Sequence, residues 1–567
     1  MELFKRIRRT LFGSARSLEA TNDTEGRTMT SYAKHVSTKA TPQSAPIPGR
    51  AMVENSAGGY TFALDDWGRL DRFLILGCEG STYYATERTL TIENAAAVIR
   101  CLEADGPRAV ARIVEISRSG RAPKQNPAIF ALALAAASTN AAARSAALAA
   151  LPEVCRTGTH LFQFAKEVEQ LRGWGRGLRR AVANWYTDKS VDRLAYQLVK
   201  YQQRDGWSHR DLLRLAHPKA DEPALNGLFE YVVKGTANAE TNPALIGAVE
   251  RAKLASDKKE IAALIREHDL PRECVPTAFL NEPEVWDALL ERMPMTAMIR
   301  NLATMTRVGL LTPLSKAARK IAAELANVER IRAARVHPIA VLAALKTYTQ
   351  GRGERGKNVW TPVQSVVDAL DKAFYLAFGN VEPTGKRWML ACDVSGSMES
   401  GSIAGVPGLT PRVATAALAM VTAAVEPDHL LVGFTAGSRP SQWPGVGTGL
   451  TRLKISPRQR LDDVCRYMAG LPMGGTDCAL PMLHAAEERL EVDVFVVLTD
   501  NETWAGAVHP TQALQAYRRQ TGIPAKLAVV AMTATNFTIA DPNDAGSLDF
   551  VGFDAATPQA LAEFAKS

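Results

Sequence analysis

The pattern of apolar residues changes character at one point in this chain, and that change limits the folds open to it. From about Asp65 to Asn380 the pattern is helical nearly throughout. IENAAAVIRCLEA, PAIFALALAAAS, HLFQFAKEVEQL, VDRLAYQLVKYQQ, MTAMIRNLATM, HPIAVLAALKTYT and VQSVVDALDKAFYLAF each place apolar residues at i, i+3 and i+4 spacing. Breakers such as DGP, RAPKQNP and RTGT separate them. Roughly 300 residues of short helices is too much for one bundle. An α-solenoid of helix pairs is expected, although no fixed period is visible.

After Val381-Glu382-Pro383-Thr384-Gly385 the texture differs. RWMLACD, HLLVGFTAG, VDVFVVLTD, AKLAVVAMTA and LDFVGFD are short apolar runs rich in β-formers. PRVATAALAMVTAAV, PRQRLDDVCRYMAG, ALPMLHAAEERL, TQALQAYRRQ and TPQALAEFAKS read as helices between them. Strand and helix alternate, which predicts a doubly wound α/β domain with a mainly parallel sheet. Ligands of such domains sit at the carboxyl ends of the strands. The chain therefore divides into a basic, disordered extension (1–55), a helical-repeat domain (56–381) and an α/β domain (382–567). In the extension, TKATPQSAPIPGR reads as extended or unfolded. Met29 is an alternative start. Lys5, Arg6, Arg8 and Arg9 either touch RNA or an acidic membrane surface, or belong to a floppy tail.

Composition excludes several classes. Apolar content of 46% and charged content of 22% are those of a soluble globular chain. No run approaches the roughly 18 apolar residues of a membrane span, and the basic start lacks the apolar core of a secretory signal. Seven scattered cysteines form no CxxC pair, which suits a reducing compartment, so a cytoplasmic monomer is expected. The net charge of +8 is unevenly shared: 14 basic against 19 acidic residues from Glu382 onward, and 53 against 40 before it. A basic first part fits either a polyanion binder or a merely basic solvated surface.

CDVSGSMES, at the end of the first β-rich run, packs Asp393, Ser395 and Ser397 into five residues. A serine nucleophile needs a base, and His484 and His509 have no clear strand-end placement. GxSxG and GxxxxGK[ST] are both absent. A hard cation gives a better account, because Mg²⁺ takes oxygen ligands in near-octahedral geometry. An Asp and two hydroxyls spaced by two on a tight loop turn their oxygens toward one point, and Gly396 lets the loop bend. Thr476 in MGGTD and Asp500 in LTDNE offer further oxygens at other loops. This set resembles the metal-ion-dependent adhesion site of von Willebrand factor A domains. The resemblance implies a Mg²⁺ or Mn²⁺ surrounded by Asp393, Ser395, Ser397, Thr476 and Asp500. It also implies an open coordination position that accepts a carboxylate from a partner. Asp477 and Glu502 are adjacent acids with no assigned role.

The second informative stretch is VDRLAYQLVKYQQRDGWSHRDLLRLAHPK, residues 191–219. In its first helix Val191, Leu194, Ala195, Leu198 and Val199 form the buried face. Arg193, Gln197, Lys200 and Arg204, spaced 4, 3 and 4, form a separate polar stripe. Gly206 ends that helix, and Ser208 caps the next with Asp211 at its third position. Arg210, Arg214 and His217 follow at spacings of 4 and 3. Paired donor stripes suit a phosphate backbone, and a solvated helix face is the other reading.

FLILGCEGSTYYATERTLTIENAAAVIRCLE, RAPKQNPAIFALALAAAS, YQQRDGWSHRDLLRLAHPK, VHPIAVLAALKTYTQGRGERGK, VEPTGKRWMLACDVSGSM, GGTDC, VFVVLTDNETWAGAVHP and FTIADPND resemble, segment after segment, the Ro autoantigen ribonucleoprotein family. The resemblance runs from about Gly58 to the C-terminus and suggests a bacterial or phage-like member. It implies a TROVE module, a HEAT-like α-solenoid ring, closed by the C-terminal A domain. It further implies small noncoding Y-like RNAs bound on the outer surface and 3′ ends of misfolded RNAs bound through the ring. RNA quality control, stress survival and tethering of polynucleotide phosphorylase also follow from it. The family's Y RNA contacts map onto Lys200, Arg204 and His217, with Arg214 and Lys219 added by proximity. The leading expectation is a noncatalytic RNA-binding scaffold with a metal-dependent docking domain. The alternative is an adhesion-type A-domain protein without an RNA role. A metal nuclease using Asp393 and Asp500 is disfavoured, because two-metal nucleases need more clustered carboxylates.

Overall fold

The structure, a computed structural model, describes residues 40–77, 87–353, 358–378, 381–401, 403, 409–436, 449–456, 458–471 and 474–567. The expectations for residues 1–39, including Met29 and the basic cluster from Lys5 to Arg9, lie outside the described residues. Two compact units are present. One lies within Val98–Gly379, and the other joins residues within 40–97 to those within 381–567.

The first unit is built mainly of short helices that pack on helices close to them in sequence. Lys258–His268 buries Ile261, Ala262, Leu264 and Ile265 against helix Pro283–Glu291, and Pro338–Thr349 packs on Gln364–Leu376. Asn126–Ala137 is buried on nearly every side, and its alanines let helix Gly158–Leu171 pack closely against it. His337 Nδ1 accepts from the Ile339 amide at 3.1 Å. Its Nε2 therefore carries the proton, and it donates to the Arg121 carbonyl at 2.8 Å. That bond ties positions 216 residues apart within the array. Among the described residues no helix is long and apolar enough to cross a membrane.

The second unit is the doubly wound domain. Its sheet comprises β1 (Trp388–Asp393), β2 (His429–Phe434), β3 (Leu450–Arg452), β4 (Val494–Thr499), β5 (Lys526–Ala531) and β6 (Ser547–Val551). The spatial order is β6-β5-β4-β1-β2-β3, parallel except for β3, an antiparallel edge strand the periodicity did not reveal. Every residue of β1 and β4 is buried, as expected for central parallel strands covered on both faces. The chain leaves β1 toward β2 and returns to place β4 on β1's other side. The switch point of the topology thus falls between β1 and β4, where such folds open a crevice at the strand ends.

The extension expected to be unstructured is ordered in its described part. Residues 40–63 lie along loops of the α/β unit, and Tyr60–Ala63 pairs antiparallel with Phe537–Thr538. Helix Asp66–Leu76 follows, and its Arg72 is fully buried. Arg72 donates to the Thr535 and Phe537 carbonyls at 2.8 and 2.9 Å and pairs with Asp549. TPQSAPIPG has no periodicity because its order comes from side-chain and backbone partners in a distant part of the chain. Residues 56–77 and 87–97 likewise group with the α/β unit.

Candidate functional site

Asp393 is the last residue of β1, and Asp500 immediately follows β4, so the two acids flank the switch point. Asp393 Oδ1 accepts from the Ser395 amide at 2.9 Å, and Oδ2 accepts from Thr499 Oγ1 at 2.6 Å. Ser395 Oγ and Ser397 Oγ lie 3.1 Å apart. Thr476 comes in on a third loop. That loop is tied to the first by the Gly396 amide on the Gly474 carbonyl (3.1 Å). It is tied to the second by the Trp504 and Ala505 amides on the Thr476 carbonyl (3.1 and 3.0 Å). All five predicted oxygen donors are buried on three cross-linked loops.

Arg412 was not singled out from the sequence. It stands alone as a cation in the apolar run PRVATAALAMV, and that is the signal that could have found it. Fully buried, it donates to the Val394 and Ser395 carbonyls at 2.7 and 3.2 Å and pairs with Glu399 at 2.9 Å. It thereby clamps the turn that presents Ser395 and Ser397.

Among the described residues no three His, Cys, Asp or Glu side chains gather as a metal site, so hydroxyls must complete any ligand set. The donors present fit a hard divalent cation: two carboxylates and three hydroxyls, all oxygen. Burial, and then the charge of Asp393, pushes Asp500 up to about 7, and burial also raises Asp393. A cation held by these oxygens would offset both costs. The neighbouring acids are otherwise engaged. Asp477 Oδ1 accepts from Gln43 Nε2 (2.7 Å) and the Ala479 amide (3.0 Å), and Glu502 Oε2 accepts from the Ala57 amide (3.1 Å).

In the helical unit, the expected donor stripes are partly rearranged. Helix Val191–Lys200 ends at Lys200, before Gly206, and Gln197 is turned inward. Gln197 Oε1 accepts from the Gly158 amide at 2.9 Å. Arg204 therefore lies on no helix. Gln203–Arg204 pairs antiparallel with Trp207–Ser208, with Arg204 opposite Trp207. Asp205 and Gly206 form the two-residue loop, both at positive φ (52° and 84°), as a primed hairpin turn requires. Ser208 then caps helix His209–Ala216 in a full capping box with Asp211, as read from the sequence.

Arg193, Arg204, Arg210, Arg214, His217 and Lys219 are exposed. Lys200 is half-buried, its Nζ 3.0 Å from Tyr196 Oη, and with Tyr196, Arg272, Arg292 and Asn301 it lines a pocket of about 320 Å³. Helix Arg176–Thr187 adds exposed Arg176, Arg179 and Arg180, which the sequence reading passed over although RGLRR announces them.

From Arg172 to Lys219 the chain carries 11 basic and 4 acidic residues. Within that stretch Arg176, Arg179, Arg180, Arg193, Arg210, Arg214 and Lys219 have no carboxylate partner among the described residues; Arg204 touches Asp205 at 3.7 Å. The helices from Ala244 to Glu291 behave differently. There Lys253 pairs with Glu250 (2.7 Å), Lys258 with Glu282 (3.1 Å) and Arg266 with Glu291 (2.7 Å), and just beyond them Arg292 pairs with Asp269 (2.7 Å). Paired cations contribute little net field, whereas unpaired ones create a positive surface.

Two family models match the chain: TROVE domain over residues 53–386 and Ro60 vWA domain over residues 387–565. The RNA-binding protein RO60 of Deinococcus radiodurans is 45% identical over 529 residues, spanning 93% of this chain and 97% of that protein. The RNA-binding protein RO60 of Caenorhabditis elegans is 37% identical over 593 aligned positions, 90% of each chain. The crystal structure of the Deinococcus radiodurans RO (RSR) protein matches with a TM-score of 0.67 at 45% identity, covering 88% of this chain and 99% of that one.

Proposed function

Because the chain belongs to the Ro60 family, with a TROVE domain followed by a Ro60 vWA domain, we propose that it is an RNA-binding scaffold without catalysis of its own. The run of unpaired cations between Arg176 and Lys219 carries this reading. Exposed arginines without carboxylate partners are ready to displace counterions from a phosphate backbone. The relatives named as RNA-binding proteins support the same conclusion. The RNA is a small, structured, Y-like noncoding RNA bound through Lys200, Arg204 and His217, with Arg193, Arg210, Arg214 and Lys219 around them. Single-stranded 3′ ends of misfolded RNAs are the second ligand class, and the setting is cytoplasmic RNA quality control, with polynucleotide phosphorylase as a tethered partner.

The α/β unit adds docking. Asp393, Ser395, Ser397, Thr476 and Asp500 would hold Mg²⁺ or Mn²⁺. The ion, when bound, offers an open position to a carboxylate of a partner protein. Filter binding of a small structured RNA across a salt series tests the main reading. The expected result is saturable binding whose log–log slope falls by about 0.7–0.9 per phosphate contact. Absence of saturable binding at low salt would leave only the docking role.

A further inference from the structure

Gln43 is completely buried, 433 residues before Thr476, yet it touches both loops that bear the later ligands of the candidate metal centre. Its Nε2 donates to Asp477 Oδ1 at 2.7 Å and to the Val508 carbonyl at 2.8 Å. Its Oε1 accepts from Thr503 Oγ1 at 2.5 Å and from the Gly506 amide at 3.2 Å. Thr503 Oγ1 in turn accepts from the Cys478 amide at 3.1 Å. One side-chain amide therefore bridges the residue after Thr476 to the segment that follows Asp500. Every polar atom of that amide is used, and donor and acceptor face the loops that match them.

The surroundings are shaped for this brace. A Cβ on Gly506 would run into Gln43 Nε2 and Asp477 Oδ1, and one on Gly59 would run into the Thr503 carbonyl. Glycine is thus needed at both places for the segment to lie this close. Farther along, Asn55 Nδ2 donates to the Thr503 carbonyl at 2.8 Å, and the Ala57 amide takes up Glu502 at 3.1 Å. The segment thus engages both Asp477, which follows Thr476, and Glu502, two residues after Asp500.

We infer that Gln43 is a positioning residue of the metal centre: it fixes the loop of Thr476 against the loop of Asp500, so that the N-terminal segment completes a site whose ligands all lie beyond residue 392. This rests on the reading of Asp393, Ser395, Ser397, Thr476 and Asp500 as a divalent-cation site. Groups that orient metal ligands typically change affinity by about 10–100-fold when removed.

The test is Mn²⁺ binding to the full-length protein by calorimetry. The variants are Gln43→Ala, Gln43→Met (which keeps the volume but neither donates nor accepts as an amide does) and Arg50→Ala. Arg50 pairs with Asp541 at 3.0 Å and anchors the same segment away from the ligand loops. Both Gln43 variants should lose about 10–100-fold in Mn²⁺ affinity, with RNA affinity and circular dichroism unchanged, while Arg50→Ala binds Mn²⁺ as the wild type does. Wild-type Mn²⁺ affinity in a folded Gln43→Met protein overturns the inference. So does an equal loss in Arg50→Ala, which would mean general loosening of the segment. Failure of the wild type itself to bind Mn²⁺ overturns the metal reading beneath it and is read separately.

Discussion

Thr499 Oγ1 donates to Asp393 Oδ2 at 2.6 Å, joining the last residues of two adjacent parallel strands. Asp393 is fully buried, so its carboxylate depends on this bond and on the Ser395 amide in place of water. Thr499→Val keeps the shape of the side chain and removes the donor. An unsatisfied buried acceptor should cost about 1–3 kcal/mol of stability, read by urea denaturation of the metal-free protein. The same variant should bind Mn²⁺ more weakly. Unchanged stability would show that Asp393 finds another donor without strain.

His209 is enclosed by Phe162, Trp185 and Tyr186, with Tyr186 Oη 2.8 Å from its Nδ1. Burial pushes its pKa down to about 3 from the ordinary 6.5. The unfolded chain therefore binds the proton first as pH falls. The stabilisation is complete above about 6.5 and is lost progressively as pH drops toward 3. At pH 5 the helical unit should be less stable by about 2 kcal/mol than at pH 7. Amide exchange in helix His209–Ala216, corrected for intrinsic rates, measures this. A His209 ring resonance that titrates near pH 6.5 would contradict it.

Much of the architecture was legible because it is local. The six sheet strands sit where β-rich runs predicted five of them, and the alternation fixed Asp393 and Asp500 at strand ends. β3 was missed because three residues of an edge strand carry no period. Gln197 was placed on the polar face by spacing alone, but the buried Gly158 amide needs an acceptor and a glutamine supplies one. Arg204 was read as helical because apolar periodicity was extended past Lys200. Asp205-Gly206 is an Asp-Gly pair of the kind that favours a primed hairpin turn, and the chain turns there. Residues 40–63 were illegible for a different reason. Gln43 and Asn55 are ordered by partners more than 400 residues away, and no local pattern encodes that.

The contrast between paired and unpaired cations gives a charge-matched comparison. Replacing Arg176, Arg179 and Arg180 together by Ala should weaken RNA binding and flatten the salt slope by about 2–3 if each contacts a phosphate. Replacing Lys258, Arg266 and Arg292 removes the same formal charge from residues already paired with Glu282, Glu291 and Asp269. That variant should leave the slope where it was. Equal effects in the two triple variants would mean that RNA affinity follows net charge and not this surface.

Gly206 separates the position of a cation from its presence. Its φ of 84° lies in the left-handed region, and a Cβ there would meet nothing within 4 Å. The cost of Gly206→Ala is therefore a backbone cost, about 1–2 kcal/mol, and it falls on the turn that aims Arg204. Gly206→Asn should be tolerated, because Asn enters the left-handed region more readily. RNA affinity should drop several-fold in the Ala variant and stay near wild type in the Asn variant. Neither removes a cation, so the salt slope should move little in both unless the Arg204 contact itself is broken, which would lower it by about 0.7–0.9. Wild-type affinity in Gly206→Ala, measured by filter binding, would show that RNA contact by Arg204 does not depend on the hairpin that holds it.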